Sequence, residues 1–278
     1  MIRNLIFLFN SFILLTLTSL TAASAQEFSN SDCQIPNNAE ISASDIIFEQ
    51  STGELQLEGD VIIIRDGYCL ITNFVKVTNL PNDPSIMETI SIPGTLKMYV
   101  LQDDEIQIEA NAGTYTQSSN IINLVGDVRI TRDNTNTFAQ ADEANYSGDT
   151  RDIDLRGNVI VEQNTEGNPI SVFAQSGLIN SDEQRIDFLG DVKISAIEYQ
   201  IEAWSENLTY LDKEQIMTMN SNVVVEQQTE SGVGQIKADN AEVRFLDSEI
   251  LFEGNVSVNQ PGFPFVQGRN QVTYSFAN

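Results

Sequence analysis

Ile122-Asn123-Leu124-Val125-Gly126-Asp127-Val128-Arg129-Ile130 is the stretch that decides the fold. Apolar side chains stand two and four residues to either side of Gly126, so the apolar pattern has a period of two. Successive side chains of a β-strand point to opposite faces, and such a period is typical of a half-buried strand. The stretch is therefore predicted to be a strand with Gly126 in the middle of its buried face.

The same frame recurs along the chain, with degraded copies around Gly94 and around Ser221, where serine replaces glycine. The centres follow one another at intervals of 31 to 35 residues and are Gly59, Gly94, Gly126, Gly157, Gly190, Ser221 and Gly254. A fixed period of this length is typical of an array of supersecondary units. Seven units are predicted.

Each unit has a second alternating stretch ahead of the glycine strand, such as 108–115 ahead of Gly126 and 139–146 ahead of Gly157. Short polar links between the two favour tight turns. The fold class is therefore all-β, with two sheets or one folded sheet around an apolar interior. The small central residue predicts a bend, a bulge or open interior space, and the Asp or Asn after it is interpreted as structural rather than as a calcium ligand.

The composition excludes several function classes. A formal net charge of −26 would repel phosphate backbones, so no nucleic-acid partner is expected. No histidine is present, which removes Ser-His-Asp and Cys-His catalysis and histidine-ligated zinc. The acidic residues fall in turns and on outward strand positions, so the chain is not expected to be an enzyme. The alternative is a carbohydrate-active enzyme on a β-solenoid. No cofactor or metal is expected.

The amino terminus is typical of an export signal. Residues 1–25 combine Arg3, an apolar stretch and Ala23-Ser24-Ala25 ahead of Gln26, which predicts cleavage after Ala25 and a periplasmic location. Residues 26–40 are predicted to be a flexible lead-in, and 41–278 the repeat domain. Cys33 and Cys69 are the only cysteines, and the sequence leaves open whether they form a disulfide.

Units of the form apolar-x-Ala-x-x-Ala-x-Tyr, then apolar-x-Leu-x-Gly-Asp/Asn-Val-x-apolar, resemble the LptA/OstA-like family of periplasmic lipopolysaccharide-transport proteins over about 41–276. The resemblance implies an elongated twisted β-jellyroll, open at both ends, whose groove shelters the acyl chains of lipopolysaccharide. It also implies end-to-end stacking as a bridge between the membranes. The implied partners are lipopolysaccharide, the periplasmic subunit of the inner-membrane exporter and the periplasmic domain of the outer-membrane translocon.

The groove candidates are inward apolar residues of the glycine strands, each of which could instead pack as core. They are Leu57, Val61, Leu124, Val128, Leu155, Val159, Phe188, Val192, Met217, Met219, Val223, Phe252 and Val256. The net acidity predicts that anionic headgroups stay outside the groove with divalent cations.

Two other functions share this fold. An exporter-docking subunit of the same pathway would keep its amino-terminal helix, whereas a structural or adhesive filament would have a dry interior and use only its sheet edges. The incomplete eighth unit, 266–276, leaves a sheet edge that predicts head-to-tail association with a second copy or a similar partner.

Overall fold

The computed structural model describes residues 33, 41–49, 51–65, 67–80, 83–100, 106–132, 137–165, 168–180, 183–197, 200–211, 213–244, 246–247, 249–262, 264–268 and 270–275. The predicted signal at 1–25, and the predicted lead-in at 26–40 apart from Cys33, lie outside them. The chain divides into an amino-terminal unit, Ala22–Asn134 with Phe138–Leu155, and a carboxy-terminal unit formed mainly by Arg156–Asn278.

The described elements are β-strands joined by turns, as the alternating pattern predicts. The strands are β1 (Ile41–Ser42), β2 (Asp45–Glu49), β3 (Glu54–Arg65), β4 (Tyr68–Leu80), β5 (Asp83–Ile92), β6 (Leu96–Val100), β7 (Ile106–Ala110), β8 (Ala112–Thr116), β9 (Ile121–Arg132), β10 (Thr137–Ser147), β11 (Ile153–Thr165), β12 (Asn168–Asn180), β13 (Arg185–Ala196), β14 (Ile201–Leu211), β15 (Ile216–Thr229), β16 (Gly232–Arg244), β17 (Glu249–Glu253), β18 (Ser257–Asn259), β19 (Val266–Gln267) and β20 (Gln271–Ser275).

Long strands that follow each other in sequence pair antiparallel, as in β3 with β4 and in the run from β12 to β16. Short turns impose this order, because a hairpin returns the chain beside the strand it has just left. The all-β jellyroll of strand pairs is confirmed within each unit.

The glycine strands other than the one around Gly94 bend at a β-bulge formed by the central residue and the Asp or Asn that follows. In β3, Gly59 and Asp60 have φ of 69° and 47°, and the pairing with β4 skips from Glu58 to Val61. The same bulge occurs in β13 at Gly190 and in β15 at Ser221. Two successive residues with positive φ favour Gly followed by Asp or Asn, since these types tolerate left-handed backbone best.

The bulges divide the sheet of each unit into two halves. Half-sheet 1 contains the segments before the bulge and their partners, and half-sheet 2 contains the segments after it. Accordingly β2 pairs with β3 before Gly59 and β1 pairs with β3 after it. Likewise β8 and β7 pair with the first and second parts of β9.

Both half-sheets bury the face on the inside of the bend. An ideal Cβ placed on Gly113 of half-sheet 1 would lie 2.6 Å from Leu96 Cδ2 of half-sheet 2, so the two halves are in close contact there. The interior is therefore that of one folded sheet. The central glycines themselves are half-buried at the bend rather than on the buried face, because two left-handed residues turn the backbone outward.

The two degraded copies behave differently. Ser221 and Asn222 have φ of 66° and 57° and form the same bulge as the glycine copies. At Gly94, which follows Pro93, φ is not in the left-handed range and the strand is interrupted between β5 and β6.

Candidate functional site

The predicted groove residues all lie in the interior. Their side chains are 0 to 3% exposed, and they are Leu57, Val61, Leu124, Val128, Leu155, Val159, Phe188, Val192, Met217, Met219, Val223, Phe252 and Val256. The structure brings them together in two rows in each unit. Residues two before a bulge centre lie on half-sheet 1, and residues two after it lie on half-sheet 2, so both walls of the interior are apolar.

At four bulges a polar residue from the preceding strand, or in the case of Asn111 from the bend between β7 and β8, hydrogen-bonds to the bulge, a contact that we call the bulge clamp. Asn111 N donates to Gly126 O at 3.0 Å, and Asn111 Nδ2 donates to Asp127 Oδ2 at 3.2 Å. Asp239 repeats the pattern, accepting from Asn255 Nδ2 at 2.9 Å while its amide donates to Gly254 O at 2.8 Å.

The clamp occurs in both units with different side chains. Gln175 Nε2 donates to Asp191 Oδ2 at 2.8 Å, and Asn222 Nδ2 donates to Glu206 Oε1 at 2.8 Å. These hydrogen bonds satisfy the Asp and Asn side chains locally, which supports their structural interpretation. Sequence analysis missed the clamp residues, although each polar partner stands fifteen residues before its bulge centre.

Aromatic rings connect the half-sheets at the rim, the edge farthest from the bulges. Tyr68, the first residue of β4 on half-sheet 2, lies with its ring centroid 6.2 Å from that of Tyr115 on β8 of half-sheet 1. Its ring also lies 6.4 Å from Tyr146, edge to face, near the end of β10. All three rings are buried. Arg65, the last residue of β3, places its Cζ 5.8 Å from the Tyr115 ring centroid.

The outer faces of the sheet carry cross-strand ion pairs. Lys76 Nζ lies 2.8 Å from Glu54 Oε2, and hydrogen bonds from Lys76 and then Gln56 lower the pKa of Glu54. Arg185 Nε lies 2.7 Å from Asp187 Oδ2, and the hydrogen bond that Arg185 Nη2 donates to Asp187 Oδ1 at 2.9 Å raises the pKa of the guanidinium. Such partly exposed surface pairs each contribute little to stability. Within the described ranges no group of three Cys, Asp or Glu side chains is arranged to hold a metal ion.

Cys33 and Cys69 form a disulfide with their Cα atoms 6.1 Å apart. Cys69 is fully buried beside Tyr68 at the start of β4. The bond therefore attaches Cys33 to half-sheet 2 near the rim.

The strand β2 exposes an apolar surface, since Ile46, Ile47 and Phe48 are 67%, 48% and 58% exposed. In the part of the chain that the structure describes, the registered partner of β2 is β3, which occupies one of its two edges. No described helix has the length and apolar character needed to cross a membrane.

One family model matches part of the chain. Residues 40–139 match the family model described as "LptA/(LptD N-terminal domain) LPS transport protein". No curated protein matches the chain. Among solved structures, the chain is similar to LptH from Pseudomonas aeruginosa, described as the LptA homologous periplasmic component of the lipopolysaccharide transport device. The identity is 10%, the match covers 65% of this chain and 80% of that chain, and the TM-score is 0.20, too low to support an argument.

Proposed function

We infer that this chain, whose residues 40–139 match the model of the LptA/LptD amino-terminal family, is a periplasmic lipopolysaccharide-transport protein. The observation that carries the inference is the apolar interior: thirteen inward residues, recurring in one repeat frame, are at most 3% exposed. We further propose that acyl chains occupy part of this interior while the sugar remains outside.

The physical basis is the transfer of acyl chains through water. Each buried CH₂ group stabilises the complex by about 0.8 kcal/mol, so a carrier needs a continuous apolar surface along the path of the chain. The rows at Leu124 and Val128 offer such a surface on both half-sheets. Because the interior is closely packed, acyl chains enter it only if the two half-sheets move apart about the bulges, and the clamps keep each bend intact while this happens.

We also propose that the protein associates end to end in a bridge between the membranes. Support comes from β2, whose Ile46 and Phe48 are exposed and which has one edge beyond its pairing with β3. An edge of this kind pairs readily with a strand of another chain. The proposed neighbours are a second copy, the periplasmic subunit of the inner-membrane exporter and the periplasmic domain of the outer-membrane translocon.

Site-specific photo-crosslinking in intact envelopes tests the cargo. A photoreactive residue replaces Leu124 or Val128, which are fully buried, and the matched control replaces Arg129, which is exposed on the same strand. We expect crosslinks to lipopolysaccharide from the two inward positions and none from Arg129. Exported, folded protein that gives no lipid crosslink at any position would instead support a structural filament.

The same samples separate the bridge from the exporter-docking alternative. Removal of the signal after Ala25 leaves Gln26 as the first residue of the mature chain, which mass spectrometry of the purified protein detects. A mature chain that retains residues 1–25 would favour the docking subunit.

A further inference from the structure

Two arginines occupy a special position on the inward face of half-sheet 2. Beyond the bulge of β3 the inward residues are Val61, Ile63 and Arg65, of which the first two are 0% and 3% exposed. Beyond the bulge of β9 the corresponding third position is Arg132. The inward row thus runs from apolar interior to a cation at the rim.

The fold does not require a cation at this position. Six residues after three of the other five centres stand Val100, Ala196 and Gln227, which are 6%, 1% and 4% exposed. An aliphatic, a methyl and an amide side chain therefore all fit the same place in the repeat. Arginine at the rim is confined to copies of the amino-terminal unit, which suggests a function there other than packing.

The surroundings of Arg65 suggest that its guanidinium binds an anion. Its Nε is buried and has no hydrogen-bond partner among the described residues, while its Cζ stacks over Tyr115 at 5.8 Å. A buried donor without a partner is costly, and its position is therefore unusual for a purely structural group. Tyr115 and Tyr146 are in ring contact with Tyr68, so three buried rings lie together beside this guanidinium.

We propose that Arg65, supported by Tyr68 and Tyr115, binds the phosphate group of a phosphorylated, acylated glycolipid at the rim. This inference rests on the proposed function and assigns the place where an anionic headgroup meets the protein. A guanidinium presents parallel N–H donors that match phosphate oxygens. The apolar interior lies directly behind it, so acyl chains anchored inside would leave their phosphate beside Arg65.

The charge of the protein favours a lipid-attached phosphate over free phosphate. A net charge of −26 repels small anions from the surface, so an acyl anchor is needed to bring a phosphate to one local cation. Divalent cations are not required at Arg65, whereas the sequence predicted headgroups held outside by such ions. Measurement of lipid binding in the presence of a chelator distinguishes direct binding of the phosphate by Arg65 from binding through divalent cations.

The test compares the full-length mature protein with Arg65→Gln, and uses Arg129→Gln, an outward position on β9, as the matched control. Binding is measured with chelator for three probes: lipid A bearing its phosphates, the same lipid A after removal of the phosphates, and inorganic phosphate alone. We expect Arg65→Gln to weaken binding of phosphorylated lipid A about tenfold or more, to leave the dephosphorylated lipid unchanged, and Arg129→Gln to change neither. Inorganic phosphate alone should not bind measurably.

Each other outcome overturns a defined statement. If the wild-type protein binds neither lipid, the proposed function fails together with the inference. If the wild-type protein binds both lipids and Arg65→Gln weakens the two affinities equally, Arg65 acts only by joining the half-sheets. If Arg65→Gln weakens neither affinity, Arg65 does not bind the phosphate group. Tight binding of inorganic phosphate alone, lost in Arg65→Gln, would replace the lipid headgroup by a free anion. Circular dichroism of each variant verifies that the strands remain folded.

Discussion

Replacement of Gly190 by alanine should destabilise the carboxy-terminal unit, because this glycine has φ of 80° at the bulge of β13. An ideal Cβ there would lie 2.7 Å from Gln175 Cδ and 3.0 Å from Gln175 Cβ. A matched control is Gly177 on the neighbouring strand β12, whose φ is not in the left-handed range. Its added Cβ would meet Phe188 and Val159 at an ordinary 3.6 Å.

The expected magnitude follows from three contributions. Left-handed backbone costs an alanine about 1–2 kcal/mol. The lower entropy of the unfolded alanine chain offsets about 0.4–1 kcal/mol of this. Displacement of Gln175 weakens its hydrogen bond to Asp191, which adds about 0.5–1 kcal/mol. The net loss in the free energy of unfolding is therefore about 1–2 kcal/mol, whereas Gly177→Ala should be neutral or stabilise by up to about 1 kcal/mol.

Urea unfolding followed by tryptophan fluorescence measures the difference. Trp204 is the sole tryptophan and pairs with Lys193, three residues beyond Gly190, so it reports on this bulge. With a slope of about 1–3 kcal/mol per molar urea, the midpoints of the two variants should differ by about 1 M. Equal midpoints for Gly190→Ala and Gly177→Ala would refute the argument that left-handed geometry selects the central glycine.

Two further predictions concern the amino-terminal unit. The double variant Cys33→Ala and Cys69→Ala removes a crosslink across 36 residues and should lower the free energy of unfolding by about 3–4 kcal/mol, measured by circular dichroism in urea. As a control, a reductant should destabilise the wild type by a similar amount and leave the double variant unchanged. Lys76→Met should raise the pKa of Glu54 toward its ordinary value in an NMR titration, while the control Lys97→Met should not, and an unchanged Glu54 titration in Lys76→Met would contradict the assignment. Because the pKa of Glu54 is lowered in the folded protein, the stabilisation from this pair is present above the unfolded pKa and is lost as the pH falls through the folded pKa.

The strands and their bends could be predicted from the sequence because their causes are local. Alternation around Gly126 sets which side chains are inward, and Gly followed by Asp or Asn is the pair that two left-handed residues require. Even Ser221, a degraded copy, keeps the bulge, since Asn222 still tolerates left-handed backbone. At Gly94 the same frame did not give the bulge, as proline rather than the usual apolar or polar strand residue precedes this glycine.

The bulge clamp and the residues at the rim could not be predicted from the sequence, because they depend on contacts between strands. The clamp residues Asn111, Gln175 and Glu206 share only polarity, so no single residue type marks the position. The approach of Arg65 to Tyr115 depends on how far the two half-sheets close on each other. That distance is set by the packing of the whole interior.

The bulge clamp has a consequence for how such chains change in evolution. The clamps among the described residues each join a strand to its immediate successor within one repeat, as Asn111 does with Asp127. Duplication or deletion of a whole repeat between equivalent points would therefore preserve every remaining clamp and its partner. Each such event would change the sheet of one unit by two strands, about 10 Å, without redesign of the interior of that unit.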